Sequence, residues 1–406
     1  MQPASNPQPH KMSSGRDAEY KWLHTGEEAL EQMLAAIAGA TQSVRLEMYI
    51  FHAGPTANQF RDALVNACKR GLRVRVLVDA LGSAYLPDSF WEPFRASGGE
   101  FRWFNPLSLH HVFIRDHRKM LVCDDGLAFI GGFNIATEYR GNGVTAGWRD
   151  LGLRMRSPLA RDLAVAFDDM FACADFKHRP FTRLRKSFLL KTVSALEAKL
   201  LLGGPGRNNP LKRALLDDMK EAREVLIISP YFVPPWKIRR LLMRLARHGA
   251  KVRLILPAKC DLPVMRMAAQ SFYRRFMAAG VEIHEYQPQI LHAKLYVVDQ
   301  IVYAGSANLD GRSLNINYEL MVRLASPALV AEGREIFAGI LAHCRRIQMT
   351  DWRRSRTFLD RMKARVAHII MARIDPLIAR HQLRWWKTSL SKINLARRHK
   401  TSNLNP

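Results

Sequence analysis

Two short stretches of the chain carry residues suited to phosphoryl chemistry, at identical spacing. His117-Arg-Lys119-Met-Leu-Val-Cys-Asp124 and His292-Ala-Lys294-Leu-Tyr-Val-Val-Asp299 both read His-x-Lys-x-x-x-x-Asp. Apolar residues of β character lie between the polar positions, so on a strand each histidine and the lysine two residues on project from one face. A neutral imidazole can attack phosphorus, and a neighbouring ammonium can hold the phosphoryl oxygens as charge builds on them. A second pair facing the first would supply a general acid for the departing alkoxide and later a base for the incoming hydroxyl. On this reading two copies make one site. A single pair would be as compatible with a strand end bearing a satisfied histidine and a solvated lysine; the repetition argues for chemistry.

Each motif is followed by a small-residue turn ending in asparagine, Gly131-Gly-Phe-Asn134 and Gly305-Ser-Ala-Asn308. Glycine lets a backbone approach a phosphate closely, and an amide can donate to its oxygens, which makes Asn134 and Asn308 candidate phosphate ligands. An imidazole attacking through one nitrogen needs an acceptor for the proton on the other. Asp150, in Trp148-Arg-Asp, and Glu319, in Asn317-Tyr-Glu, are the candidates downstream of the motifs. Asp124 and Asp299 complete the repeated pattern and are counted with its catalytic set. Five residues beyond the lysines, however, a straight strand turns them to the opposite face, where they would fix a turn or the contact between halves. Glu47, Asp79, Ser83 and Tyr231 are further polar residues at strand ends, suited to lining a cleft or to ordinary packing. The chain contains no Walker-type glycine loop and no carboxylate cluster of metal-binding pattern, and the chemistry calls for no cofactor.

The elements that must position these groups are also duplicated. A helix begins near Thr25-Gly-Glu-Glu, with Leu30, Met33, Leu34 and Ile37 at helical spacing, and ends around Gly39. A strand over 43–51, a helix over 60–69 and a strand over 72–79 follow in βαβ order. The second half repeats this with a helix over 211–222, a strand over 225–229, a helix over 238–247 and a strand over 251–257. Gly71 and Gly249 end equivalent helices, and Gly98-Gly-Glu-Phe matches Gly280-Val-Glu-Ile ahead of each motif. The expected fold is α/β: two tandem half-domains related by a pseudo-twofold axis, with the site in the cleft between them. The division is a disordered leader over 1–17, a first half over 18–173, a basic connector over 174–199, a second half over 200–345 and a basic amphipathic region over 346–406.

The doubled His-x-Lys-x4-Asp motif, each copy with its Gly/Ser-rich turn and asparagine, resembles the signature of the phospholipase D superfamily. Within it, Ser229-Pro-Tyr-Phe-Val-Pro234, Gly203-Gly-Pro-Gly206 and Leu291-His-Ala-Lys-Leu are most similar to bacterial cardiolipin synthases of the short type that lacks N-terminal transmembrane helices. The resemblance implies mixed sheets flanked by helices, with His117 as nucleophile and His292 as acid and base. It further implies that Asp150 orients His117 and Glu319 orients His292. The implied reaction is transphosphatidylation of phosphatidylglycerol through a phosphohistidine, with lysines and asparagines on the phosphoryl oxygens.

Composition limits the partners. The 406 residues are 48% hydrophobic, enough for a large core, and 62 Lys and Arg against 36 Asp and Glu give a formal charge of +26. An anionic partner follows, a phospholipid surface or a nucleic acid. Five scattered cysteines without CxxC spacing argue against a disulfide framework and a zinc site and favour a reducing compartment. The start has no apolar run of signal-peptide length, and no stretch reaches about 18 uninterrupted apolar residues. A lipid enzyme of this kind would act peripherally on an anionic phospholipid membrane, at the cytoplasmic face, with no obligatory nucleic acid or protein partner. Near the end, Phe358, Met362, Val366 and Ile369 keep helical spacing with Arg361, Lys363 and Arg365 between them, and Arg384-Trp-Trp-Lys387 follows. Such a segment suits either a bilayer interface or a helix packed on the catalytic core. The competing activities are hydrolysis of phospholipid or nucleic acid phosphodiesters, and lipid binding without catalysis.

Overall fold

The structure, a computed structural model, describes residues 18–106, 114–174, 198–205 and 209–371. The leader, nearly all of the connector and the tryptophan-bearing tail lie outside these residues.

The first half is a seven-stranded sheet of β1 (Glu19–Leu23), β2 (Ser43–Met48), β3 (Arg73–Asp79), β4 (Glu100–Phe104), β5 (Met120–Cys123), β6 (Leu127–Gly131) and β7 (Gly152–Arg156). Their order is β1-β7-β6-β5-β2-β3-β4, parallel from β2 to β4 and antiparallel elsewhere. The second half uses β8 (Ala198–Gly203), β9 (Glu224–Ile228), β11 (Lys251–Pro257), β12 (Glu282–Tyr286), β13 (Leu295–Val298), β14 (Ile301–Gly305) and β16 (Glu319–Leu324). Its order is β8-β16-β14-β13-β9-β11-β12, the first sheet repeated strand for strand, with β17 (Cys344–Arg346) added at the edge. Two short strands, β10 (Phe232–Val233) and β15 (Leu309–Asp310), pair in parallel beside it.

Local chemistry explains the matching helices. Thr25 caps the helix Gly26–Gly39 by accepting from the Glu28 amide. The helices Pro55–Lys69 and Trp236–Arg247 each end two residues before a glycine with positive φ, Gly71 at +84° and Gly249 at +89°. Only glycine adopts that turn at no steric cost, so the equivalence of these glycines reflects one repeated helix-to-strand connection.

The motif strands are buried on both faces. In β5, Leu121 and Cys123 join the helices Gly26–Gly39 and Pro55–Lys69 in one apolar cluster, while Met120 and Val122 face another. In β13, Leu295 and Val297 reach the same second cluster as Met120 and Val122, and Tyr296 and Val298 turn away into the second half. That shared cluster also takes in the helices Leu159–Ala172 and Pro327–Leu341. The halves are thus joined by one continuous apolar core, sandwiched between the sheets. Among the described residues no helix is long and apolar enough to cross a membrane.

Candidate active site

Each His-x-Lys segment sits immediately before its strand, β5 starting at Met120 and β13 at Leu295. Here the backbones of the two halves pair. The His117 amide donates to the Tyr318 carbonyl at 2.9 Å, and the Tyr318 amide to that of Arg115 at 2.9 Å. On the other side of the pseudo-twofold, the His292 amide donates to the Arg149 carbonyl at 2.7 Å, and the Arg149 amide to that of Ile290 at 2.8 Å. These bridges, Asp116 with Tyr318 and Arg149 with Leu291, set each histidine beside the opposite half's carboxylate segment.

The side chains follow the backbone. Nδ1 of His117 lies 3.0 Å from Oε2 of Glu319, and Nδ1 of His292 lies 2.6 Å from Oδ2 of Asp150. The orienting pairs are therefore crossed: Glu319 serves His117 and Asp150 serves His292, the reverse of the expected assignment. The reason is topological. Within one half the carboxylate segment leads into β7 or β16, separated from the motif strand by β6 or β14, whereas across the halves it is the adjacent backbone.

The small-residue turns make room for these carboxylates. A Cβ on Gly132 would stand 2.1 Å from an Asp150 oxygen, so only glycine fits beneath that side chain. At the equivalent place in the second half, Ser306 donates from Oγ to Glu319 Oε2 at 2.6 Å. Asn134 is engaged by the protein, accepting from the Ile50 amide at 3.0 Å and donating to the Tyr139 hydroxyl at 2.6 Å. One of its two amide hydrogens is not used in these bonds. Asn308 has a buried amide oxygen with no hydrogen-bond partner, and is thus less committed to its surroundings.

Aromatic rings wall the imidazoles. Tyr49 meets His117 edge-on at 4.8 Å, and Tyr139 and Trp148 flank His292 at 5.4 and 5.5 Å. Lys119 donates to its own histidine's carbonyl at 2.7 Å and lies over the Tyr49 ring. Lys294 repeats the contact to the His292 carbonyl, with Nζ 2.8 and 3.1 Å from the two ring nitrogens.

Burial dominates the electrostatics. Both lysines are almost wholly enclosed, and desolvation lowers Lys119 to about 7 and Lys294 to about 8. Burial raises Glu319 to about 7 against the pull of Lys119. His117 is held well below the ordinary imidazole range by burial, then by Lys119 and Lys294. His292 is lowered by burial and Lys294, but Asp150 works in the opposite direction. Both shifts favour the neutral rings, and the carboxylate beside each Nδ1 is placed to accept a proton held there, which keeps Nε2 out of that bond.

Asp124 and Asp299 lie elsewhere, which corrects their inclusion among the catalytic residues. Asp124 accepts the backbone amides of Thr41, Gln42 and Ser43 at 2.8 to 2.9 Å, and Asp299 those of Arg223 and Glu224. Both adopt left-handed φ, +53° and +47°. They fasten the far end of the motif strand to the start of β2 or β9, five residues or roughly 15 Å from the lysines. Glu47, Asp79 and Ser83 are likewise structural. Glu47 forms a buried ion pair with Arg118 at 2.6 Å, Asp79 accepts the amides of Asp116, Leu81 and Gly82, and Ser83 ties Phe51 to Tyr49. Tyr231 donates to Asp261 at 2.6 Å, and Asp261 acts electrostatically on His292 and Lys294. The roles of Tyr49, Tyr139, Trp148 and Ser306 carried no spacing signal in the sequence. Arg118 did carry one: it alternates with His117 and Lys119, and so must face the other way. Among the described residues no group of three His, Cys, Asp or Glu side chains is arranged to hold a metal ion.

A family model described as the cardiolipin synthase, phospholipase D-like domain matches residues 33–142 and 215–341, more than half of the chain. The chain belongs to this cardiolipin synthase family. Each matched stretch encloses one motif with its lysine and asparagine, while Asp150 falls outside both. Among similar members, the cardiolipin synthase of Geobacillus kaustophilus is 33% identical over 311 residues, 73% of this chain and 61% of the relative. Cardiolipin synthase 1 of Bacillus anthracis is 30% identical over 88% of this chain and 72% of its own length. Cardiolipin synthase B of Escherichia coli K12 is 29% identical over 81% and 82%. The chain thus spans about three fifths of the first of these and more of the others. In fold, this member of the family is similar to phosphatidylserine synthase of Haemophilus influenzae, with a TM-score of 0.70 over 89% of this chain and 94% of that one, at 17% identity.

Proposed function

We propose that the protein is a phosphatidyltransferase that makes cardiolipin from phosphatidylglycerol. The observation that carries this reading is the pair of neutral, buried imidazoles, each held through Nδ1 by a carboxylate from the opposite half. Burial, Lys119 and Lys294 all favour the neutral ring of His117, which suits a nucleophile, whereas Asp150 at 2.6 Å favours the proton-carrying form of His292.

Nε2 of His117 attacks the phosphorus of the donor while His292, which has taken up a proton on Nε2 as the anionic donor binds and Asp150 supports its charged form, gives that proton to the departing glycerol oxygen. The phosphorus–oxygen bond breaks and a phosphatidyl-histidine forms. His292, now neutral, takes the proton of a hydroxyl on a second phosphatidylglycerol. That oxygen displaces Nε2 of His117, the phosphorus–nitrogen bond breaks, and both histidines return to their starting states. Lys119 and Lys294, joined by Asn134 and Asn308, hold the non-bridging oxygens as negative charge grows in the five-coordinate state. Burial depresses their pKa values, and an anion bound beside them would strengthen the ammonium form. The substrate implies work at an anionic phospholipid membrane; we assign the protein to its cytoplasmic face as a peripheral enzyme, with no nucleic acid required.

The test is incubation of the protein with phosphatidylglycerol vesicles without added metal, with His117→Ala as control and lipid products resolved by mass spectrometry. Cardiolipin absent from the control is the expected outcome. Phosphatidic acid alone would make the enzyme a hydrolase, and no lipid product would reject the reading.

A further inference from the structure

Most of the exposed large apolar side chains among the described residues belong to one helix. In Phe358–Ile369 and the residue after it, Phe358, Leu359, Met362, Val366, Ile369 and Ile370 are all exposed, Phe358 to 73%. At 3.6 residues per turn they fill one continuous arc of about 120°. Ala364 and Ala367, on the other side, are buried against the helix Pro263–Ala278, where His368 also meets the Phe272 ring at 4.6 Å. The apolar arc therefore points away from the core, and it is not the face that makes the fold.

Cations border the arc. Arg361 and Arg365 project along one edge and Lys363 along the other, by the same periodicity. On the arginine side a groove of about 430 Å³ separates this helix from Pro263–Ala278, lined by Arg274, Arg275, Arg353, Arg356, Arg361 and Arg365. Asp360, the one carboxylate there, is occupied as the capping partner of Thr357. An apolar strip with cations on both edges matches the boundary between acyl chains and anionic headgroups. The supporting helix Pro263–Ala278 begins next to exposed Leu262 and one further residue from Asp261, the partner of Tyr231 near His292. The helix Phe358–Ile369 is thus packed on a helix whose first residue lies two positions from a carboxylate that acts on His292.

We infer that the helix Phe358–Ile369 is a membrane-docking helix that lies in the plane of an anionic bilayer, with its apolar arc among the acyl chains and its arginine groove on the lipid phosphates. The inference rests on the proposed lipid substrate, but it concerns where the enzyme grips its surface. That grip supplies binding to the membrane and takes no part in bond making.

The test uses the full chain and vesicles of phosphatidylglycerol with phosphatidylethanolamine, compared with phosphatidylglycerol in detergent micelles. The combined variant Met362→Glu, Val366→Glu and Ile369→Glu should bind vesicles at least about tenfold more weakly and lose turnover on them, yet keep wild-type turnover in micelles. Arg361→Gln with Arg365→Gln should lower vesicle affinity and weaken its salt dependence. A fluorophore on Val366→Cys should report a polar setting in buffer and an apolar one on vesicles. Unchanged vesicle binding by the triple variant overturns the inference, as does a fluorophore already apolar in buffer, which would mean that the face is covered by this chain or a second copy. Vesicle binding lost in the triple variant while the wild type makes no cardiolipin in micelles would reject the proposed reaction and keep the docking helix. Cardiolipin formed in micelles with vesicle binding unaffected would do the opposite.

Discussion

Glu319 holds Nδ1 of His117 at 3.0 Å, although the two residues belong to different halves of the molecule and stand 202 positions apart. Asp150 and His292 repeat the relation in reverse at 2.6 Å. The crossing makes each histidine's proton the responsibility of the other half.

That arrangement is open to direct reading by NMR of the imidazoles. Glu319→Gln should perturb the titration and tautomer of His117 and leave His292 nearly unchanged, and Asp150→Asn should do the converse. Each should lower kcat by about 10² to 10⁴. Pairing within a half predicts the opposite set of shifts.

The division of labour between the histidines separates with a donor whose leaving group needs no proton. With a p-nitrophenyl phosphodiester, His292→Ala should release a burst of about one equivalent of nitrophenolate and then stall as the phosphohistidine. His117→Ala should give no burst. A burst from His117→Ala and none from His292→Ala would exchange the roles.

The pH dependence of kcat/KM should be bell-shaped. Glu319, raised to about 7, takes up a proton as pH falls and can no longer hold the Nδ1 proton, so activity drops on the acid side. Lys119 and Lys294, lowered to about 7 and about 8, lose charge as pH rises, so the clamp on the phosphoryl oxygens weakens on the basic side. Measured with soluble short-chain phosphatidylglycerol, the maximum should fall at about 7, and a flat profile from about 5 to 10 would contradict the assignment.

Asp124 should matter for stability rather than chemistry. Replacing it with alanine removes the acceptor for three backbone amides and leaves a left-handed residue without its preferred side chain, at a cost of about 1–3 kcal/mol. Asparagine, which tolerates the same φ, should recover much of this. Urea denaturation measures the loss, and the folded fraction should keep kcat within a few-fold of wild type.

The buried pair of Glu47 and Arg118 gives a sharper stability effect. Arg118→Leu leaves the buried carboxyls of Glu47 and Asp116 without their shared cation and should destabilise by about 3–5 kcal/mol, whereas Glu47→Leu with Arg118→Leu should recover part of it by removing the carboxylate that faces Asp116. Since Arg118 faces away from its catalytic neighbours, the double variant should retain activity once folded.

The two motifs, their turns and the repeated βαβ order were legible because each is a local pattern: period two in the strands, period 3.6 in the helices, and glycines such as Gly71 and Gly249 where the chain must turn left-handed. The partner of each histidine was not. Asp150 and Glu319 could be recognised as acceptors, but choosing between same-half and cross-half pairing requires the backbone bridges at Asp116 and Arg149, and these depend on how the two sheets meet. The need for glycine at 132 is hidden in the sequence for the same reason, since the oxygen that a side chain there would meet belongs to Asp150. Tyr49, Tyr139 and Trp148 lie outside any motif and become visible only as rings against an imidazole.

Duplication ordinarily leaves a protein with a spare, one copy free to drift while the other keeps the function. The paired backbone around Tyr318 and Arg149 removes that freedom. On the proposed mechanism, damage to the carboxylate of either repeat would disarm the histidine of the other and leave no intact half to compensate, so both copies would be exposed to selection at these positions.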